Sequence, residues 1–164
     1  MIQAATEYFF LATSERPIQV RTPTLVRWNA PPEPYVKLNT DGNVIGNPGM
    51  AGTEGLLQDS SGFWISGFSL KMGIVTNNMA KLEAVRQGLL LAWQLGFRFI
   101  QLELDSTVVL SWLTDKTSSY PPYVMSLIYD CRSLMEQDWE VQAHHIYHEA
   151  NGCADALAKL GAHQ

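Results

Sequence analysis

The hydrophobic pattern changes period twice between Tyr35 and Asp105, and this switch restricts the chain to few architectures. Tyr35-Val36-Lys37-Leu38-Asn39-Thr40 alternates like a strand and stops at Asp41-Gly42. A loop with Gly46, Asn47, Pro48 and Gly49 leads into Gly55-Leu56-Leu57-Gln58. The turn Asp59-Ser60-Ser61-Gly62 and the run Phe63 to Leu70 follow, which predicts a meander of three antiparallel strands. Leu82, Val85, Leu89 and Ala92 then recur at helical spacing, with Thr76-Asn77-Asn78 as the N-cap region and Gly96 as the stop. Phe99 to Asp105 is a strand again. Strands joined through a helix lie parallel, so the segment predicts an α/β fold with a mixed sheet.

Beyond Asp105, Ser106 caps a helix to about Leu113, and Pro121-Pro122 opens another with Val124, Leu127, Ile128, Cys131 and Leu134 on one side. Trp139 to Tyr147 supplies a last strand. Asn151 starts a final helix, in which Ala154, Leu157, Ala158 and Leu160 pack inward and Asp155 lies in the first turn. Upstream, residues 14–34 are rich in proline and lack periodicity, as a linker does. Met1 to Thr13, with Tyr8-Phe9-Phe10-Leu11-Ala12, reads as a short amphipathic helix. The expected organisation is an N-terminal helix and linker (1–34) before one domain (35–164).

Composition supports a single domain with an ordinary core: 164 residues, 46% hydrophobic and 16% charged. Eleven basic against 16 acidic residues leave a net charge of −5, so contact with a phosphate backbone must come from a local patch. Cys131 and Cys153 form no C-x-x-C pair, which argues against a disulfide framework or zinc finger and for an intracellular setting, nucleus or cytoplasm. No apolar run approaches the ~18 residues of a membrane span. Glu7 stands where a signal peptide would be basic.

The chemistry centres on carboxylates. Ligands of open α/β sheets bind beyond the carboxyl ends of parallel strands, and two such strands end in Asp41 and Asp105, which should therefore converge. With Asp155 they make three carboxylates that repel one another unless a cation intervenes. Oxygen donors without a Cys or His cluster suit Mg²⁺ or Mn²⁺. Two such ions about 3.5–4 Å apart can activate a water and stabilise a leaving oxygen. Turn and cap chemistry for Asp41 and Asp105, and a helix-dipole role for Asp155, are the plain alternatives.

Thr40-Asp41-Gly42 with Gly46-Asn47-Pro48-Gly49, Thr76-Asn77-Asn78, Leu104-Asp105-Ser106, and His148-Glu149-Ala150-Asn151 through Ala154-Asp155-Ala156-Leu157-Ala158 occur in that order. Over residues 35–160 these motifs resemble the ribonuclease H family. With Trp28-Asn29-Ala30-Pro31-Pro32 ahead of the first strand, they are most similar to the domain closing plant non-LTR retroelement reverse transcriptases, or to its domesticated single-domain relatives. The resemblance implies a ribonuclease H-like three-layer fold with a mixed five-stranded sheet, three antiparallel strands and then two parallel, flanked by helices. It also implies metal-dependent endonucleolytic cleavage of the RNA strand of RNA–DNA hybrids. Asp41, Asp105 and Asp155 would be the ligands of two Mg²⁺ or Mn²⁺ ions, and His145 a proton carrier, with His144 and His148 as lesser candidates. Asn47, Thr76, Asn77 and Asn78 would grip the hybrid, short amides and hydroxyls being suited to phosphates and 2′-hydroxyls.

One position departs from the family. Where it places a catalytic glutamate, this chain reads Ala80-Lys81-Leu82. Glu83 points elsewhere, because two helical residues rotate a side chain by about 200°. Lys81 could contact a phosphate or fill one metal site as a tethered counter-ion, so slow cleavage is one expectation. An inactive nucleic-acid-binding or protein-interaction module is the alternative. The stretch Thr114 to Tyr123 holds one Lys and no Arg, so hybrid binding should be weak, with a larger polyprotein or partner protein supplying further grip. A 3′–5′ exonuclease or integrase-like relative fits the Asn-Pro-Gly loop and the closing helix poorly. The glycines precede a strand, so the dinucleotide fingerprint fails.

Overall fold

The computed structural model describes the backbone of residues 7–11 and all of residues 29–148 and 151. The strands are β1 (Glu7–Leu11), β2 (Val36–Gly46), β3 (Gly49–Gln58), β4 (Trp64–Val75), β5 (Phe99–Leu104) and β6 (Glu140–His145). The helices are α1 (Asn77–Gln94), α2 (Thr107–Thr114) and α3 (Met125–Met135), the last preceded by a 3₁₀ turn at Pro122–Val124. One sheet runs in the order β1-β4-β3-β2-β5-β6. Within it β2, β3 and β4 pair antiparallel, whereas β2–β5 and β5–β6 are parallel. The five strands β2 to β6 thus form the mixed sheet that the sequence predicts.

Two expectations need correction. The N-terminal segment expected to be helical contains a strand: Glu7–Leu11 adds antiparallel to β4, with Phe9 opposite Phe68. The expected helix, Met1 to Thr13, is of a length that is marginal for an isolated helix. An aromatic run is a good strand former, and the open edge of β4 offers unpaired backbone groups to satisfy it. Secondly, β2 does not stop at Asp41. It continues in register with β3 until Gly46 faces Gly49, leaving Asn47-Pro48 as a two-residue hairpin turn. Gly42, read from sequence as a stop, is instead a point of close approach. A Cβ there would lie 2.4 Å from the Ala80 carbonyl carbon and 2.5 Å from the Lys81 amide nitrogen.

Helix α1 begins where Thr76 Oγ1 accepts from the Met79 amide and ends at Gly96 (φ 89°). There the Gly96 amide bonds Trp93 O and the Phe97 amide bonds Ala92 O, the paired ending that glycine favours at a helix terminus. Its face of Leu82, Val85, Leu89 and Ala92 packs on Leu38, Leu57 and Phe68 of the sheet. Val109, Trp112, Ile128 and Cys131 from α2 and α3 complete the same core. Burial pushes the Cys131 thiol up to about 12, so it behaves as a small apolar side chain. Of the three layers, the sheet and one set of helices lie among the described residues. The expected closing helix, with Asp155, falls outside them, as do Cys153 and the span 14–28 of the linker.

Candidate active site

The site forms where the parallel part of the sheet gives out. β2 pairs with β5 only from Val36 opposite Ile100 to Asn39 opposite Glu103. Beyond that point β5 ends at Leu104, Ser106 Oγ caps α2 by accepting from the Val109 amide, and Asp105 emerges beside Asp41. The approach permitted by Gly42 brings α1 over the same spot. Lys81 Nζ donates 2.8 Å to Asp41 Oδ1 and 2.8 Å to Asp105 Oδ1, while the Gly42 amide donates 2.8 Å to Asp41 Oδ1.

From the far side, His148 Nδ1 lies 2.8 Å from Asp105 Oδ2, and His145 Nε2 lies 3.3 Å from the Asp105 carbonyl oxygen. The segment after β6 is tied in place by the Ile146 amide on Leu104 O and by buried Asn151, whose Nδ2 donates 3.1 Å to Thr40 O. Asp41 and Asp105 therefore meet as their spacing predicts. His148, the weaker candidate by sequence, contacts the Asp105 carboxylate, while His145 reaches only its backbone. Two residues separate the two histidines, too few for periodicity to rank them; the anchoring of Asn151 goes with the contact that His148 makes.

Around this centre, Asn47 Oδ1 accepts from the Asn77 amide at 3.1 Å, joining the hairpin tip to the start of α1. Thr76 is spent on its cap and Asn78 follows Asn77 in the first turn. Glu54 was not singled out from sequence. It stands directly opposite Asp41 in the β2–β3 ladder, where burial first and then the Asp41 charge push its carboxyl up to about 7.

The two aspartates are largely withdrawn from water, their side chains 6% and 7% exposed against 19% for Lys81. Burial works against the Lys81 ammonium, but the hydrogen bonds it donates to Asp105 and Asp41 outweigh it and its pKa rises. Burial likewise works against the Asp105 carboxylate, and Lys81 with His148 reverses it, so Asp105 titrates below its usual range. The contact with Asp105 raises His148. One atom each of Asp41, Asp105 and His148 lies within 4.8 Å of the others, a donor set able to hold a metal ion. Carboxylate oxygens with one imidazole suit a divalent cation, so the residues fit one. The ammonium of Lys81 is already bound to both carboxylates.

The family model described as reverse transcriptase-like matches residues 39–161. A ribonuclease H of Tropheryma whipplei is 34% identical over 139 residues, covering 75% of this chain and 81% of that one. The chain belongs to the ribonuclease H family. A protein of Arabidopsis thaliana named as a ribonuclease H protein is 39% identical over 140 residues, 85% of this chain but 22% of the longer protein, so the chain spans about a fifth of that relative. Among ribonuclease H structures, RNase H1 of Halobacterium salinarum superposes with a TM-score of 0.70 at 29% identity, over 75% of this chain and 93% of that one. LC11-RNase H1 in complex with an RNA/DNA hybrid gives 0.67 at 21% identity over 76% and 98%, a likeness of fold. No helix among the described residues is long and apolar enough to cross a membrane.

Proposed function

We propose that this chain is a ribonuclease H-type endoribonuclease that hydrolyses the RNA strand of RNA–DNA hybrids, with a rate held down by Lys81. The observation that carries the reading is the convergence of Asp41 and Asp105, from separate strands, on a single cation at the carboxyl ends of the parallel pair. Asp41 and Asp105 with His148, joined by Asp155, would hold Mg²⁺ or Mn²⁺, two ions in the full arrangement. When bound, such ions lower the pKa of an attacking water and stabilise the leaving oxygen.

The chain's own residues do the rest. Asn47, Thr76, Asn77 and Asn78 would position the backbone and 2′-hydroxyls. His145, exposed beside Asp105, would carry a proton to or from solvent. Lys81 neutralises one of the two carboxylate charges and so competes with the ions for them. Residues 1–34 we treat as an appendage to the domain 35–164, although one that lends β1 to the sheet. We place the protein inside the cell, nucleus or cytoplasm, as a retroelement-type domain that works beside a larger polyprotein or partner. The double ion pair of Lys81 also favours a second reading, an inactive hybrid-binding module.

A labelled-hybrid cleavage assay with Mg²⁺ or Mn²⁺ separates the two. Expected are slow cleavage by the unaltered chain, none by Asp105→Asn, and a gain of at least about tenfold, ~1.4 kcal/mol of barrier, for Lys81→Glu. Equal rates for the unaltered chain and Lys81→Glu refute the attenuation. Silence from both leaves the binding module.

A further inference from the structure

The sheet has a second face, away from α1, and near the hairpin tip that face is open to water. Directly opposite residues of an antiparallel ladder share a face, so the register sorts β2, β3 and β4 into rows. Gly42, opposite Thr53, lies under α1. The rows of the other parity turn away from that helix: Asp41 opposite Glu54, then Asn43 opposite Gly52 and Lys71, then Ile45 opposite Met50 and Ile74. Ile45 lies four positions beyond Asp41, roughly 13 Å along an extended chain.

In the outermost row Ile45 is 86% exposed, Ile74 71% and Met50 57%. Singly such residues are ordinary; side by side across three strands they mark a contact surface. In the next row Asn43 and Lys71 are exposed, and Lys71 has no ion-pair partner among the described residues. Gly52 leaves a dip between them. A Cβ there would meet just the Leu70 carbonyl oxygen, at 3.5 Å, so packing does not demand this glycine, and a strand glycine with room above it suits the close approach of another backbone.

The partner that fits these rows is a nucleic acid. Lys71 offers a point charge to a phosphate and the Asn43 amide a second donor. Isoleucine and methionine are side chains that pack into a minor groove, and an A-form-like groove is wide and shallow enough to meet a flat sheet face. The surface is also continuous with residues read above as hybrid contacts: its outer row borders the Asn47-Pro48 turn, where Asn47 accepts from the Asn77 amide, and its inner row carries Asp41. At a net charge of −5 the chain has no general positive field, and an apolar row beside one lysine supplies grip that charge does not.

We propose that the open face of β2, β3 and β4 is a further contact surface for the hybrid, with Lys71 and Asn43 holding a phosphate and the row of Ile45, Met50 and Ile74 packing against sugars. The inference rests on the hybrid-binding reading above, and it assigns binding to residues outside the acidic centre and the start of α1.

The test is fluorescence anisotropy of a fluorescein-labelled RNA–DNA hybrid in Ca²⁺ buffer over a series of salt concentrations. The full chain is compared with Lys71→Gln and with Ile45→Ser combined with Met50→Ser, each checked for folding by circular dichroism. Lys71→Gln is expected to raise Kd about fivefold at low salt and to flatten the slope of log Kd against log salt by about 0.7–0.9, the share of one phosphate contact. The double variant is expected to raise Kd at least about fivefold at every salt concentration with the slope unchanged, because apolar contact releases no counterions. Affinity equal to that of the unaltered chain in either variant overturns the inference. So does a double variant that keeps its affinity for hybrid while losing a self-association seen by sedimentation velocity in the unaltered chain, since the row is then an interface between copies. Absence of hybrid binding by the unaltered chain overturns the hybrid reading itself, and the inference with it, a result distinct from selective loss in the variants.

Discussion

Two lysines meet carboxylates along the same pair of strands, and they do different things. Lys37 and Glu103 sit within the parallel stretch of β2 and β5, where the ion pair spans 2.8 Å and the side chains are 2% and 13% exposed. Asn39 Nδ2 also donates to Glu103, and Lys37 also donates to the Asn29 carbonyl. Positive and negative charge balance there, in a place water hardly reaches. A few residues on, Lys81 faces two carboxylates, the cluster is short of one positive charge, and His148, 69% exposed, forms its outer wall. A balanced and sealed pair serves the fold. An unbalanced, half-open one can still take a cation or a proton, and that imbalance sets the candidate centre apart.

The comparison breaks first, and hardest, at Lys37. Lys37→Met strands Glu103 in a nearly dry site, and removing one partner of such a pair costs about 3–5 kcal/mol. Urea denaturation should show that loss unchanged by added Mn²⁺ or Mg²⁺. Gly42→Ala comes next, because the new methyl collides with backbone atoms of Ala80 and Lys81 that cannot swing aside. Overpacking of this kind costs about 1–3 kcal/mol. It should also push Lys81 away from Asp41, which a lowered Lys81 pKa by NMR titration would register. Gly88→Ala, whose methyl would meet the flexible end of Leu38 at 2.9 Å, is the milder control.

Lys81→Met should cost less than Lys37→Met, about 1.5–3 kcal/mol, the scale of hydrogen bonds to charged groups. The loss should shrink as Mn²⁺ is added, since an ion bound only by the folded state stabilises it by mass action. Recovery with metal at Lys81 and none at Lys37 would establish that the two clusters differ in kind. Metal rescue of both, or of neither, would dissolve the distinction.

Much of this contrast is legible in the sequence. The strand–helix–strand pattern fixes β2 beside β5, and that places Asp41 and Asp105 together; Thr76 and Ser106 cap the helices their spacing assigns to them. Lys81 stands out as a cation at an acidic position. What stayed hidden depends on contacts between distant segments. Glu7–Leu11 becomes a strand only because β4 has an open edge. Gly42 looks like a terminator until α1 is laid against it. That His148 meets the Asp105 carboxylate goes with the hold of Asn151 on Thr40, a contact between distant segments. The pairing of Lys37 with Glu103 follows from a parallel register that no local pattern states.

The smallest effect belongs to Glu54, which sharpens the comparison from its acidic side. Its carboxyl titrates at about 7 in the folded chain, above the ordinary 4.5, because burial and the neighbouring Asp41 disfavour the charged form. A raised folded-state pKa means that the folded state binds the proton more tightly. The associated stability is therefore fully present below about pH 4.5 and lost as the pH rises through about 7. Urea midpoints should accordingly fall between about pH 5 and about pH 8 in the unaltered chain, and fall less in Glu54→Gln. Because Glu54 is partly open to solvent, the change should be smaller than for Lys37→Met, Gly42→Ala or Lys81→Met. Divalent metal should flatten the same slope by neutralising Asp41, whereas Lys37→Met should leave it intact. A slope that survives both Glu54→Gln and saturating Mn²⁺ would mean that the excess negative charge of the centre resides elsewhere than on the β2–β3 ladder.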